Sequence, residues 1–152
     1  FALQNDAFYR DYQAGTLDIH AYVRFALSPI AGSAVEDVAP LQQQFLDNWI
    51  EPLLLPAAFD LIAHHRQAGD TLMIITATNT VVTRPIAQRL GIDILLGCEA
   101  EVVNGHYTGH IVGTPTFKEG KVDRFKHWLH AGHITLRRGE RSRLADFASE
   151  AL

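Results

Sequence analysis

The stretch Asp70-Thr71-Leu72-Met73-Ile74-Ile75-Thr76-Ala77-Thr78-Asn79-Thr80 decides the fold. Residues 71–75 form a continuous apolar run of strand length, the pattern of a parallel strand covered on both faces. Residues 76–80 are small and polar and read as a turn. Val81-Val82-Thr83 and a helix over residues 85–90 follow, with Pro85 near its first turn and Gly91 ending it. Strand, polar turn and helix in that order are the unit of an open α/β sheet, in which ligands collect outside the carboxyl ends of the strands.

Toward the C-terminus, residues 92–96 read as a second short strand. Residues 99–103 and 106–112 flank Asn104-Gly105, the dipeptide of a two-residue hairpin turn. Gly113-Thr114-Pro115 ends the hairpin, and from about Glu119 an amphipathic helix carries Val122, Phe125, Trp128 and Leu129. Residues 137–152 are basic and then helical. Toward the N-terminus all elements read as helices. Two flank Gly15-Thr16, a third opens at Pro40 and places Leu41, Phe45, Leu46, Trp49 and Ile50 roughly on one face, and a fourth runs from Pro56 to Gly69.

Composition narrows the function. A chain of 152 residues with 47% hydrophobic residues can bury one core without staples. A net charge of −4 leaves no basic stripe to displace counterions, which argues against a nucleic-acid partner. The single cysteine, Cys98, excludes an internal disulfide and any paired-cysteine metal motif, and points to a reducing compartment, the cytoplasm by default. No apolar run approaches the roughly 20 residues of a membrane helix. The oligomeric state is not legible.

Two features could carry chemistry. At the carboxyl end of the first strand, the hydroxyls of Thr76 and Thr78, the Asn79 amide and the backbone N–H groups around Ala77 could hold phosphate oxygens. The same residues could equally be a helix N-cap and no more. The second feature is Phe117-Lys118-Glu119-Gly120-Lys121-Val122, where lysine opens a helix. A cation there is unfavourable by a few tenths of a kcal/mol unless an anion is near. Lys121 would neutralise a phosphoryl group or a carboxylate; the alternative is a solvated lysine.

Read together, I-I-T-A-T-N at 74–79, P-I-A-Q-R-L-G-I at 85–92 and N-G-H-Y-T-G-H-I-V-G-T-P-T-F-K-E-G-K-V at 104–122 resemble the haloacid dehalogenase superfamily, in its phosphoserine-phosphatase-like branch with a helical cap. The resemblance implies an α/β fold, a partial Rossmann-like parallel sheet with a cap over residues 1–55, a core over residues 56–152 and the hairpin. It implies a phosphatase acting on a small phosphorylated metabolite through an aspartyl-phosphate, with Mg²⁺ as cofactor. Two of the family's four motifs map here: Thr76 as the hydroxyl residue after the second strand, and Lys121 as the motif lysine, with Lys118 the second candidate. The nucleophile motif Asp-x-Asp-x-Thr and the acidic metal motif find no match. Because the chain opens at Phe1 and closes at Ala151-Leu152 inside apparent helices, the expectation is a fragment, inactive by itself and with an unpaired edge on its first strand. The alternative is a non-catalytic phosphate-binding or interaction module.

Asp146 and Glu150 imitate the acidic motif but lack an apolar strand before them, and read as an exposed i, i+4 pair on a helix. His127, His130 and His133 would fan over about 200° of a helix instead of converging. His106 and His110 share one strand face about 13 Å apart, and His64-His65 diverge. All read as surface or cap histidines.

Overall fold

The computed structural model describes residues 2–133. The 137–152 segment, the Asp146/Glu150 pair and the His133 side chain lie outside the described residues. In chain order the elements are α1 (Ala2–Gln13), α2 (Ile19–Leu27), α3 (Val35–Phe45), α4 (Pro56–Gln67), β1 (Met73–Asn79), α5 (Thr80–Arg89), β2 (Ile94–Val103), β3 (His106–Val112) and α6 (Glu119–Trp128). Short 3₁₀ and π turns extend the ends of α2, α3 and α6. This is the expected mixture of helices about a partly parallel sheet.

Three sequence expectations are corrected. The first strand does not end at Ile75: β1 begins at Met73 and runs through Asn79, so residues 76–79 belong to the strand. The helix after it starts at Thr80 and not at Pro85, because Asn79, with extended backbone angles, accepts a hydrogen bond on its side chain from the Val82 N–H at 3.2 Å and caps the helix five residues earlier. Likewise α3 begins at Val35, with Pro40 inside it; Glu36 and Asp37 in its first turn suit the positive end of the helix.

The third correction concerns the strands. The second strand and the first hairpin strand are one ten-residue element, β2, working in both directions. Its first half pairs in parallel with β1, Met73 opposite Ile94 and Ile75 opposite Leu96, and its second half pairs antiparallel with β3, Glu99 opposite Val112 and Val103 opposite His106. The sheet order is β1-β2-β3. The hairpin turn is as expected: Asn104 and Gly105 both take positive φ, 50° and 78°, as a two-residue primed turn requires.

The core lies where α2, α3 and α5 meet β2 and β3. Val23, Leu27, Val38, Val81, Cys98 and Tyr107 form one buried cluster. Leu27 is 1% exposed, so truncating it to alanine would cost about 2–5 kcal/mol. The segment before α3 is stitched to the hairpin by backbone bonds from Gly32 to Tyr107, Tyr107 to Ser33 and Val35 to Gly105. At the other side, the Arg89 guanidinium pairs in bidentate fashion with Glu51 and lies 4.9 Å over the Phe59 ring, tying α5 to the turn before α4 and to α4 itself. By contrast Leu41 and Trp49, expected on a common face, are 57% and 69% exposed. No helix of the described residues is long and apolar enough to cross a membrane.

Candidate functional site

The β1–β2 ladder is regular from Met73 to Ile75 and resumes only at Asn79 opposite Cys98. Thr76, Ala77 and Thr78 lie in that break. Inside it the chain folds on itself: the Thr78 N–H donates to the Thr76 hydroxyl oxygen at 3.1 Å, and the Cys98 thiol donates to the Ala77 carbonyl at 3.2 Å. A hydroxyl oxygen that accepts keeps its own proton to give, so Thr76 remains a donor toward whatever stands before it.

Gly97 permits this geometry. A Cβ at that position would stand 3.0 Å from the Thr80 methyl and 3.1 Å from the Thr78 carbonyl oxygen, so any side chain there would push the end of β1 and the start of α5 back by a few tenths of an ångström. Behind it, Glu99 accepts from the Thr80 hydroxyl at 3.0 Å and pairs with Arg84 at 3.3 Å, holding the first turn of α5. Asn79, 7% exposed, spends its amide oxygen on the cap. That accounts for Asn79 without a ligand.

Thr76, Ala77 and Thr78 line a cavity of about 350 Å³ roofed by α1 and α2. Its other walls include Asn5, Phe8, Tyr12, Tyr22 and Phe117. The roof is held by Asp18, which caps α2 by accepting from the Ala21 N–H at 3.0 Å; that bond lowers the pKa of its carboxyl.

The loop into α6 brings the second half of the expected site. Phe117 faces the same cavity as Thr76, and Thr116 is fully buried, with its N–H 3.4 Å from the Cys98 sulfur. Gly120 is essential to the turn, since a Cβ there would fall 2.0 Å from the Pro115 carbonyl oxygen. Lys121 sits in the first turn of α6, which packs against β1 and β2. Among the described residues no hydrogen bond or ion pair engages its ammonium, and it does not itself line the cavity. Lys118 is committed elsewhere: it holds a positive φ of 47° and donates to the Gly15 carbonyl at 3.0 Å, in the turn between α1 and α2.

The structure thus brings Thr76, Ala77 and Thr78 together at one cavity, and sets Lys121 on the adjoining helix. Sequence reasoning missed Gly97, Glu99 and the aromatic roof. A glycine inside a strand was the available signal for the first; the rings of α1 and α2 read only as helix periodicity.

The chain belongs to the haloacid dehalogenase-like hydrolase family, whose model matches residues 1–140. It is 39% identical over 127 residues to a histidinol-phosphatase of Neisseria meningitidis serogroup C, covering 83% of this chain and 57% of that protein. It is 35% identical over 105 residues to a phosphoserine phosphatase of Mycobacterium tuberculosis, covering 69% of this chain and 34% of that one. Among solved structures, a protein of unknown function from Bordetella pertussis Tohama I superposes with a TM-score of 0.80 at 36% identity, over 89% of this chain and 60% of that chain. A probable phosphoserine phosphatase from Vibrio cholerae shares the fold, with a TM-score of 0.56 at 20% identity over 86% and 38% of the two chains. The chain spans little more than half the length of the first of these relatives and about a third of the second.

Proposed function

We propose that this chain supplies the phosphate-gripping half of a phosphomonoesterase that releases inorganic phosphate and an alcohol. The observation that carries this is the interrupted ladder at residues 76–78, which places Thr76 and Thr78 on the wall of a cavity beneath α1 and α2. Thr76 would donate to a phosphoryl oxygen, and the Lys121 ammonium would offset the charge that grows on the phosphoryl group as its ester bond breaks. Residues 1–55 would act as the cap and residues 56–152 as the core. The relatives' names point to histidinol phosphate or phosphoserine as the kind of small phosphomonoester involved, and the cytoplasm is the compartment in which such a metabolite would be met.

Family membership suggests Mg²⁺, which would screen the phosphate dianion. The described residues do not fit it: the cavity wall holds no carboxylate, and no group of three His, Cys, Asp or Glu side chains is placed to hold a metal among the described residues. The 152 residues also contain no Asp-x-Asp pair. Nucleophile and metal ligands would therefore come from outside this set, and the 152-residue chain alone is expected to leave phosphomonoesters intact. The same lack of a carboxylate favours a second reading, a module that binds phosphate without turnover.

The test is an assay of the protein expressed from its complete open reading frame. Thr76→Ala and Lys121→Ala should each lower kcat/KM by about 10²–10³ with the circular dichroism unchanged. Phosphate binding without any turnover selects the binding module, and full activity in both variants removes both residues from the site.

A further inference from the structure

Beyond the two threonines the cavity is walled by rings. Five of its eleven lining residues are aromatic, and none of those described carries a charge. The rings are set at different angles: Phe8 meets Tyr22 edge-on with centroids 5.6 Å apart, and Tyr12 meets Phe117 at 6.4 Å and 47°. Tyr9 and Tyr12 remain 60% and 58% exposed, so aromatic surface stands open beside the phosphate end. The Gly15 carbonyl at the rim is already bonded to Lys118.

Such a pocket discriminates by chemistry. A leaving group carrying both an ammonium and a carboxylate needs opposite charges around it, and uncompensated burial of either is costly. A flat ring needs only faces and edges to pack on, which the walls offer.

We propose that this cavity is a leaving-group subsite for phosphomonoesters whose alcohol bears an aromatic ring, with Phe8, Tyr12 and Phe117 as the residues that select it. The inference rests on the phosphomonoesterase reading and names the substrate class of that site. The ring of the alcohol lies among the cap and loop rings, while the phosphate points to Thr76 and Thr78. An amino-acid phosphate such as phosphoserine finds the same phosphate grip and no charged side chain among the described lining residues.

The experiment uses the protein from its complete open reading frame and compares 2-phenylethyl phosphate, butyl phosphate and phosphoserine, by calorimetric binding and by kcat/KM. The phenylethyl ester should be favoured at least tenfold over the butyl ester, with phosphoserine the poorest. In Tyr12→Ser, at a position that is 58% exposed, the ratio should fall toward one with the circular dichroism unchanged, and Phe8→Leu should lower it independently. A phosphoserine preference, or a ratio unchanged in both variants, overturns the proposal while leaving the phosphatase reading intact. If no phosphomonoester binds, the phosphatase reading fails, and 2-phenylethanol then tests the subsite alone: saturable binding weakened in Tyr12→Ser supports it, and no binding overturns it.

Discussion

The Lys118 ammonium donates to the Gly15 carbonyl oxygen at 3.0 Å across 103 positions of sequence, and beside this bond Tyr12 meets the Phe117 ring. The α1–α2 turn is thereby fastened to the loop that opens α6, whose Phe117 lines the cavity together with Thr76. Lys118, the second candidate for the motif lysine, is engaged in a tie between the α1–α2 turn and the loop before α6. Its backbone, at φ 47° and ψ −125°, lies where glycine is at ease and a side chain is strained.

That strain gives a paired prediction. Lys118→Ala should lose the tie and keep the strain, whereas Lys118→Gly loses the tie and relieves it. Lys118→Gly should therefore be more stable than Lys118→Ala by about 1 kcal/mol, read from urea midpoints at equal slope. Both should speed amide exchange in the turn around Gly15. Equal exchange in all three proteins would mean the tie does not hold the cap.

On the proposed function, the Thr76 hydroxyl, which accepts from the Thr78 N–H, would also donate to the phosphate. Thr76→Ser keeps the oxygen that accepts from Thr78, and should hold activity within about tenfold in the protein from the complete reading frame. Thr76→Val leaves the Thr78 N–H without its partner and removes the donor, and should cost about 10²–10³ in kcat/KM. A valine variant as active as the serine variant would show that the hydroxyl is not used.

Thr116 is buried, and among the described residues its Oγ1 has no hydrogen-bond partner. Exchanging that oxygen for a methyl group removes an unmet polar atom at nearly constant volume, so Thr116→Val should be neutral or stabilising by up to about 1 kcal/mol. Chemical denaturation measures it, and a loss above that size would reveal a bond to the hydroxyl.

Burial pushes the Cys98 thiol above its ordinary 9.0, more than its bond with the Thr116 N–H pulls it down. The neutral thiol is thus favoured in the fold. Its contribution to stability is whole below pH 9.0 and falls as pH rises beyond that, because the unfolded chain then gains by ionising first. Unfolding free energies at pH 7 and 10 should differ more in the native chain than in Cys98→Ala. Alkylation should require unfolding; rapid labelling of the native protein would contradict its burial.

β1 pairs with β2 along one edge, and among the described residues no strand covers the other. An open apolar edge invites pairing with a second chain. The 152-residue chain is expected to scatter light and self-associate as its concentration rises. A monomer with one sharp thermal transition would show that the edge is protected.

Much of this protein is legible in its residues taken in order. The helices before Gly69, the apolar run into β1, the Asn-Gly turn and the helix from Glu119 follow from periodicity and turn chemistry, which act over a few residues at a time. The same local reading singled out Thr76 and Lys121, but it placed Thr76 in a turn, whereas the residue lies within β1 and Lys121 in the first turn of α6. What only the tertiary structure decided are relations between distant segments. β2 is one strand because a single extended run can offer one edge to β1 and the other to β3, and nothing local to residues 94–103 announces both partners. Asn79 caps α5 because the Val82 N–H comes to its side chain, Lys118 is a tie because Gly15 comes to it, and the rings of α1 and α2 become the wall of a cavity only because those helices lie over Thr76. Local sequence sets dihedral preferences, but the partner of a polar or aromatic side chain is chosen by packing across the whole chain.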